Sequence, residues 1–291
     1  MNRTQIEWVR NPDGSQGYTW NPITGCLNGC PYCYARKLAN GRLKARYLAN
    51  TNVADIHFKS DRVDALNYAL ATTNPFYPRF WESRLHDRGL FQEKPRGIFT
   101  CDMSDLFGIG VPEAWTDRVI DQVKLHRQHR FYLLTKQPQN LPTSPSPFPD
   151  NCWVGVSATD AQMFIDAGKA LGGIDAKVKY ISAEPLLDWD FGSAGFIATM
   201  LQKWGINWVI TGAQTKPYRP PKIEWVEEIS LACDKAGIPV FLKNNLKKLL
   251  PFPEQSWAYI GRSGNYNLRQ ELPIIYGYSA NSEERVNGHT K

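Results

Sequence analysis

The sequence predicts an α/β protein whose parallel strands form a partial or near-complete (β/α) barrel. Short segments rich in β-branched and aromatic residues alternate with segments whose apolar residues recur every three or four positions. The first pattern is typical of buried strands and the second of amphipathic helices, and their alternation is typical of βα units on a parallel sheet. Six or seven such units can be counted, which favours a barrel over a sandwich of two sheets.

The apolar, β-rich segments predict seven strands. The earliest runs from Tyr18 to Thr24 and leads into a loop that contains cysteines. Later strands are predicted at Gly97–Cys101, Phe131–Thr135, Cys152–Ser157, Val178–Ser182, Asn207–Thr211 and Ile238–Leu242. Helical periodicity predicts helices at Trp115–Val123, Phe164–Leu171, Phe196–Trp204 and Val226–Cys233. Gly237 followed by Pro239 predicts the end of the last helix.

Two stretches depart from this alternation. Residues 51–95 contain one helical segment, Asp61–Ala71, and an aromatic segment with several prolines, so we expect an insertion after the first unit. Residues 250–291 lose the pattern and end in polar residues, which predicts a C-terminal extension with a partly disordered tail. Residues 1–249 are predicted to form a single domain, in which the prolines of Pro142–Pro149 make a stiff connector.

The composition predicts a cytoplasmic protein without a membrane segment. With 42% hydrophobic residues, the 291-residue chain can form a substantial core. The N-terminus has no apolar signal segment, and no stretch approaches the ~20 apolar residues of a membrane span. Six cysteines are too sparse for a secreted disulfide scaffold, and a net charge of +6 allows an anionic partner.

Three cysteines are clustered directly after the first predicted strand. Cys26, Cys30 and Cys33 have the spacing C-x3-C-x2-C. Cysteine thiolates hold iron-sulfur clusters, and three thiolates leave one iron of a four-iron cluster open to a small molecule. The alternative is structural zinc with a fourth ligand such as Cys101 or His57. Zinc modules usually contain two C-x2-C pairs, and the sequence has no second pair.

This spacing, with Tyr32 directly before the third cysteine, resembles that of the radical S-adenosylmethionine (SAM) enzymes. The resemblance implies a [4Fe-4S] cluster whose open iron chelates the amino and carboxylate groups of SAM. It also implies reductive cleavage of SAM to a 5′-deoxyadenosyl radical. Tyr32 then matches the aromatic residue that packs near the adenine of SAM. Such an enzyme needs a reducing partner, for example flavodoxin or ferredoxin.

Further motifs extend the resemblance over roughly residues 15–245. They follow successive predicted strands, at Met103–Phe107, Leu134–Lys136, Gly155–Ser157, Ser182–Leu186 and Lys243. Their order is similar to that of the phage-associated three-Cys-motif family of radical-SAM-like proteins. The resemblance implies a TIM-like radical-SAM barrel and no particular substrate. In two departures, Asp102–Asp105 replaces the Gly-Gly-Glu that usually holds the SAM amino group, and Thr211–Thr215 replaces a later Gly-Gly-Glu turn.

The active site of a (β/α) barrel lies at the carboxyl ends of its strands. Besides Tyr32, the candidate SAM contacts are polar residues at these ends, namely Ser104, Asp105, Lys136, Ser157, Asp160 and Lys243. The Lys136 ammonium, a compact point charge, is expected to neutralise the SAM carboxylate. Ser157 and Asp160 are expected at the ribose hydroxyls. Ser104 or Asp105 is expected at the amino group.

Glu184 and Cys101 are the candidate catalytic residues. Glu184 directly follows an apolar strand, where a carboxylate is unfavourable to bury unless it is paired. Cys101 ends a strand and can approach the cluster or donate hydrogen, whereas unpaired cysteines, such as Cys152 and Cys233, are most often buried apolar residues. Asp160 also has a structural alternative, because an aspartate at a helix start can cap that helix.

Basic and aromatic residues recur near the expected barrel mouth. The basic ones are Arg36, Lys37, Arg42, Lys44, Arg46, Lys216, Arg219, Lys222, Lys243, Lys247 and Lys248, and the aromatic ones are Tyr34, Tyr218 and Trp225. Such surfaces suit nucleic acid, although a solvated helix face has the same charges. The favoured function is a radical SAM enzyme acting on a nucleic acid or nucleotide-like anionic substrate. Two alternatives stay open: a zinc-stabilised nucleic-acid-binding protein without catalysis, and a degenerate barrel whose cluster is structural or redox-active.

Overall fold

The computed structural model describes residues 1–54, 69–143, 147–262 and 265–274. Most of the predicted helix Asp61–Ala71 lies outside these residues, as do the middle of the Pro142–Pro149 connector and the polar C-terminal stretch. Residues 69–73 are helical. No helix in the described part of the chain is long and apolar enough to cross a membrane.

The strands follow the predicted alternation and add short pairs in the loops. Within the described residues they are β1 (Asn2–Arg3), β2 (Tyr18–Trp20), β3 (Ile23–Thr24), β4 (Arg79–Phe80), β5 (Gly97–Thr100), β6 (Arg130–Thr135), β7 (Cys152–Ser157), β8 (Val178–Ala183), β9 (Trp208–Thr211), β10 (Gln214–Thr215), β11 (Tyr218–Arg219), β12 (Val240–Leu242), β13 (Tyr259–Arg262) and β14 (Asn265–Leu268). Six predicted strands agree with β5 to β9 and β12 to within two residues at each end.

Eight strands form one sheet in the order β1-β2-β5-β6-β7-β8-β9-β12. β1 is antiparallel to β2, and every later neighbouring pair is parallel. The carboxyl ends of the parallel strands therefore lie along one edge. The predicted α/β class with a parallel sheet is confirmed. Within the described residues, no pairing joins β1 to β12 into a closed barrel.

The helices pack on this sheet with the apolar faces that the sequence predicts. Their bounds are α1 (Tyr34–Asn40), α2 (Lys44–Leu48), α3 (Glu113–Leu125), α4 (Ala161–Gly172), α5 (Ala194–Lys203) and α6 (Ile223–Ala236). The Ser193 hydroxyl accepts the N–H of Phe196 and caps α5. Gly237, at φ +71°, ends α6 in the left-handed conformation, as predicted.

The two faces of the sheet are packed differently. One face meets the helices through aliphatic side chains such as Val154 of β7 and Leu171 of α4. The other face carries large aromatic side chains, including Phe99, Tyr132, Trp153, Tyr180, Trp208 and Phe241. Trp8 from the N-terminal segment packs among them, with its ring centre 5.0 Å from that of Phe99. The N-terminal segment therefore helps to cover this aromatic face.

The predicted strand Tyr18–Thr24 is divided into two. β2 pairs with β5, whereas β3 pairs antiparallel with β4. Pro22 lies between them and has no N–H to donate to a ladder. At this break the Asn21 side chain donates to Asp102 and accepts the N–H of Met103. The chain thus leaves the main sheet before it enters the cysteine loop.

The described part of the predicted insertion is held together by a buried arginine. Arg79 of β4 is fully buried. Its guanidinium donates to the backbone carbonyl oxygens of Asn50, Ala71, Thr72, Asn74 and Tyr77. These bonds satisfy a charge that burial would otherwise make unfavourable.

The described part of the C-terminal extension packs at the β12 edge of the sheet. The backbone N–H of Leu242 donates to the carbonyl oxygen of Arg269, and the Trp208 indole donates to that of Glu271. The Arg269 side chain forms ion pairs with Asp234 and Glu271. Residues 250–262 and 265–274 are therefore tied to the domain, and the predicted loose tail falls in residues outside the described part.

Candidate functional site

A cavity of about 320 Å³ lies at the carboxyl edge of the parallel sheet. Segments that follow successive strands line it, as in the active sites of α/β barrels. The predicted site residues brought together there are Cys26, Cys30, Tyr32, Cys33, Cys101, Ser104, Asp105, Lys136, Ser157, Glu184 and Lys243. The volume is in the range of small-molecule sites.

Asp160 is the predicted site residue that the cavity does not include. Its Oδ1 accepts the backbone N–H of Met163 at 2.8 Å, so Asp160 caps the start of α4. It borders a separate, open depression on the surface. Asp160 therefore forms the helix cap given as its structural alternative, and it lies outside the cavity lining.

The cysteine loop is fixed at its start by Gly25. This residue has φ +88°, and a Cβ there would lie 2.2 Å from the carbonyl oxygen of Tyr77. The N–H of Gly25 donates to Met103, and the N–H of Cys26 donates to Phe76. Both the positive φ and the close approach of backbone require glycine.

Each of the three loop sulfurs accepts an N–H. The backbone N–H of Asn28 donates to Cys26 Sγ at 3.4 Å, and Asn28 Nδ2 donates to Cys30 Sγ at 3.1 Å. The backbone N–H of Arg36, in the first turn of α1, donates to Cys33 Sγ at 3.3 Å. Hydrogen bonds to sulfur are one of the means by which proteins tune iron-sulfur clusters.

The donor set of the loop fits an iron-sulfur cluster. All three cysteines are free thiols, and burial raises the pKa of the Cys26 thiol to about 12, with smaller contributions from Asp105 and the other two cysteines. Metal binding would convert such thiols to thiolates. No group of three or more His, Cys, Asp or Glu side chains in the described part of the chain is arranged to hold a metal ion. The fit therefore rests on the donor types, their shared loop and their N–H partners.

Lys136 places a cation at the cavity wall. Its Nζ lies 5.8 Å from the centre of the Tyr32 ring, and it has no hydrogen bond or ion pair among the described residues. Burial lowers the pKa of Lys136, whereas the charges of Cys30, Asp105 and Glu184 oppose this shift. An ammonium in this setting can bind an anionic group of a ligand.

The side chains of Asp105 and Ser104 position the surrounding loops. Asp105 accepts the backbone N–H of Lys136 at 2.8 Å and that of Phe107 at 3.1 Å. The Ser104 hydroxyl donates to the carbonyl oxygen of Ile23 at 3.0 Å. Asp105 therefore orients the segment that carries Lys136, and Ser104 fastens β3 to the loop after β5.

Glu184 and Lys243 form an ion pair on the cavity wall. Glu184 follows β8 and Lys243 follows β12, while Gly212 after β9 lies against both. A Cβ at Gly212 would lie 3.0 Å from Lys243 Cδ and 3.2 Å from Glu184 Cγ. The Glu184 side chain remains 21% exposed, so its carboxylate is both paired and open to the cavity.

Cys101 is held in an unusual backbone conformation. Its φ of +64° lies in the left-handed region, which residues other than glycine rarely adopt. Such backbone conformations are often found at functional sites. The residue is buried, yet it lines the cavity. Burial raises the pKa of its thiol to about 12, which favours the neutral form. Cys152 and Cys233 are buried in the core, as expected.

A family model described as Protein of unknown function (DUF5131) matches residues 3–249. The chain belongs to the DUF5131 family. No curated protein and no solved structure matches it. The matched region contains the cysteine loop and every residue that lines the cavity.

Sequence reasoning missed several residues at the cavity of this DUF5131 chain. Asp102 accepts from Asn21 Nδ2 at 2.6 Å and from the Tyr34 hydroxyl at 3.2 Å, and burial raises its pKa. Its position directly after a predicted strand was an available signal. Ile6 and Trp8 also line the cavity. They precede the first βα unit, so the expectation that site residues lie at the carboxyl ends of strands could not identify them.

Proposed function

We propose that this DUF5131 protein is a radical SAM enzyme that holds a [4Fe-4S] cluster on Cys26, Cys30 and Cys33. The observation that carries this proposal is the meeting of three thiols, in C-x3-C-x2-C spacing, with the unpaired Lys136 cation in one cavity at a parallel-sheet edge. When bound, the cluster would supply the electron for cleavage of SAM. The proposal includes a partial TIM-like radical-SAM barrel and kinship with the phage-associated three-Cys-motif proteins.

The protein's own residues would bind and orient SAM. The Lys136 ammonium, whose segment Asp105 orients, would pair with the carboxylate of SAM. Ser104 and Asp105, the residues expected at the amino group, bond neighbouring backbone. Asp102, in the stretch that replaces Gly-Gly-Glu, would offer its carboxylate to that group instead. Tyr32 would border the adenine, and the Ser157 hydroxyl would bind the ribose.

Glu184 and Cys101 would act on the substrate side of the cavity. The Glu184 carboxylate, paired with Lys243, can hold or pass on a proton at the cavity wall. Burial favours the neutral Cys101 thiol, which could donate a hydrogen atom to a carbon-centred substrate radical. The thiyl radical left behind would return to the thiol by taking an electron from the flavodoxin or ferredoxin and a proton from solvent. Both side chains border the same cavity as the three loop cysteines.

We propose a nucleic acid or nucleotide-like anionic substrate. Tyr34 lines the cavity, and Tyr218 pairs with Thr215 of the cavity wall; the two residues are 50% and 47% exposed. The Tyr34 hydroxyl donates to the Asp102 carbonyl at 2.7 Å, and the Tyr218 hydroxyl donates to the Asn245 carbonyl at 3.1 Å. Exposed rings held in this way suit the stacking of bases. A cytoplasmic location and a flavodoxin or ferredoxin as reductant belong to the same proposal.

Anaerobic reconstitution with iron and sulfide tests the proposal. We expect about four irons per chain. With reductant and SAM we expect 5′-deoxyadenosine, measured with and without DNA, RNA and nucleotides. Cys33→Ala should lose the iron chromophore, whereas Cys233→Ala, which removes a thiol from the core, should keep it.

Two results would contradict the proposal. Stoichiometric zinc with negligible iron would favour the zinc-stabilised binding protein. Full iron content without cleavage of SAM would favour the structural or redox cluster.

A further inference from the structure

We propose that Asn28 and Gln137 are positioning residues that aim an N–H donor at the sulfur of Cys30. Together with Gln139 they form a chain of side-chain amides, here called the amide chain. The hydrogen bonds of the amide chain are present whether or not the protein binds a cluster. Its expected effect on the reduction potential of a cluster rests on the proposed function.

Asn28 contacts two of the three loop sulfurs. Its backbone N–H donates to Cys26 Sγ, and its side-chain Nδ2 donates to Cys30 Sγ at 3.1 Å. A side-chain amide has a donor end and an acceptor end of nearly equal shape. In the inverted orientation the Asn28 carbonyl oxygen would face Cys30 Sγ and repel a thiolate. The donor contact therefore depends on whatever fixes the amide.

Gln137 fixes the orientation of the Asn28 amide. Its Nε2 donates to Asn28 Oδ1, which turns the Asn28 NH2 group towards Cys30. The Oε1 of Gln137 accepts from Gln139 Nε2 at 2.7 Å. An NH2 group cannot accept a hydrogen bond, so inverting the Asn28 amide requires inversion of the whole chain and turns Asn28 Oδ1 towards Cys30 Sγ. A thiolate or a cluster-bound sulfur cannot donate to that oxygen, so only the observed set of orientations satisfies every bond when Cys30 is a ligand.

The amide chain is anchored to the central sheet. The backbone N–H of Gln137 donates to the hydroxyl of Thr135, the last residue of β6, at 2.9 Å. Gln137 is only 6% exposed, so its polar side chain needs partners inside the protein. The segment after β6 thus supplies both Lys136, the unpaired cation, and the residue that aims Asn28. A motif search on cysteine spacing would find neither amide.

The amide chain is expected to change the reduction potential of a bound cluster, because its N–H donor lies next to the negative charge on the Cys30 sulfur. An N–H that points at a sulfur stabilises the more negative state of a cluster, so it raises the reduction potential. Asn28→Ala removes the donor. Gln137→Glu leaves the cysteine loop unchanged in sequence, but its carboxylate cannot donate to Asn28 Oδ1. Both substitutions should therefore lower the potential.

A redox titration followed by electron paramagnetic resonance tests this consequence. The full-length protein and its variants are reconstituted anaerobically, and iron content is measured for each. Asn28→Ala and Gln137→Glu should keep iron and show a lower midpoint potential. Asn40→Ala is the matched control, because Asn40 on α1 is an exposed amide whose one side-chain bond to a described residue goes to the Arg36 carbonyl. Unchanged potentials in both test variants, or an equal shift in the control, would overturn the inference.

A second measurement needs no cluster. In the apo protein, the side-chain amide protons of Asn28 are assigned by nuclear magnetic resonance from their loss in Asn28→Ala. Their exchange with solvent should be slow, and about tenfold faster in Gln137→Glu, as the loss of one hydrogen bond implies. Equal exchange in both proteins would overturn the amide chain. Failure of the unsubstituted protein to take up iron would instead overturn the proposed function, and the exchange measurement would still decide the amide chain.

Discussion

Two glycines of the cysteine loop share a positive φ and differ in their surroundings. Gly25 has φ +88° and Gly29 has φ +76°. A Cβ at Gly25 would collide with the carbonyl oxygen of Tyr77 at 2.2 Å, whereas a Cβ at Gly29 would meet nothing within 4 Å. The conformational preference of glycine matters at both positions, but close packing of backbone matters only at the first.

This difference predicts unequal effects of alanine at the two positions. Gly29→Ala should cost the ~1–2 kcal/mol of a left-handed alanine and keep iron uptake. Gly25→Ala should cost more and lose iron, because the loop must move away from Tyr77. Chemical denaturation and iron content measure both effects. Equal stability and equal iron uptake in the two variants would show that the loop does not depend on the contact at Gly25.

Glu184 has two alternative roles, a catalytic one at the cavity and a stabilising one in its ion pair with Lys243. Glu184→Gln keeps the shape and removes the charge that Lys243 pairs with, so we expect retained iron, a small change in melting temperature and reduced deoxyadenosine production. Glu82→Gln is the control, since it removes an exposed ion pair with Arg118 outside the cavity lining. It should leave turnover unchanged. A large fall in melting temperature with normal activity per folded Glu184→Gln molecule would refute the catalytic role.

The expectation that site residues lie at the carboxyl ends of strands selected cavity-lining residues where they directly follow a strand. Lys136 follows β6 and Glu184 follows β8 without an intervening residue, so the end of the strand itself brings each to the cavity. Asp160 stands three residues beyond the end of β7, where the chain has already reached the start of α4. There the unpaired N–H groups of the helix take up its carboxylate. The spacing alone could not separate these cases.

At the level of elements, the connection between α3 and β6 contains a histidine that must stay neutral. His129 is fully buried, its Nδ1 accepts the N–H of Arg96 at 3.2 Å, and its Nε2 lies 3.0 Å from the Leu90 carbonyl oxygen. Burial, reinforced by the positive charge of Arg96, lowers the pKa of His129 from 6.5 to about 4. The unfolded chain therefore binds a proton at a higher pH than the folded chain does.

Stability should consequently fall as the solution is acidified from about pH 6.5 to about pH 4. Because the pKa of His129 is lowered on folding, its protonation favours the unfolded chain. The folded protein loses no stability from this group above pH 6.5, and its free energy of unfolding falls by up to about 3 kcal/mol at pH 4. Urea unfolding at several pH values measures it. His129→Gln should flatten this part of the pH dependence, and the exposed His86→Gln should not. The same slope in the His129→Gln variant would assign it to the carboxylates.

The elements also show where local sequence patterns end. Apolar runs located β5 to β9 because each is buried on both faces, and a buried strand needs little else to be recognised. The run Tyr18–Thr24 looked continuous, yet β2 and β3 pair with different partners. Pro22 within the run is a local signal for this division, because proline cannot donate to a ladder. The direction that the chain takes after the break is fixed by Asn21, whose side chain bonds Asp102 and Met103 from a distant part of the sequence. No periodicity within the run records those partners.

For the molecule as a whole, the alternation of strands and helices predicted a parallel sheet, and a cavity lies at the carboxyl edge of that sheet. What it could not predict is how the ends of the chain complete the domain. Trp8 enters an aromatic cluster whose members come from separate strands, and Arg269 reaches Asp234 of α6. These are tertiary contacts between segments with no pattern of their own. Whether β1 and β12 pair to close the sheet into a barrel also depends on contacts between distant segments, and no such pairing joins the described strands.

The surface around the cavity leads to a final prediction, on nucleic-acid binding. Tyr34→Ala and Tyr218→Ala should each weaken binding of single-stranded nucleic acid about 5- to 150-fold, from ~1–3 kcal/mol per stacked base. Tyr34→Phe should retain most affinity, because it keeps the ring. Lys216→Ala, which removes an exposed cation of the cavity lining, should lower the slope of log affinity against log salt by about 0.7 if it contacts one phosphate. Fluorescence anisotropy at several salt concentrations measures both effects.

The control for this prediction is Tyr266→Ala, since Tyr266 of β14 is 43% exposed and lies outside the cavity lining. It should bind like the unsubstituted protein, because the contact is expected only where fixed rings and free cations border the cavity. Equal weakening by Tyr266→Ala would mean that nucleic acid binds the basic protein without preference for this surface. Unchanged affinity in Tyr34→Ala and Tyr218→Ala would remove the stacking surface from the proposal and leave a small anionic nucleotide as the substrate to test against the cavity.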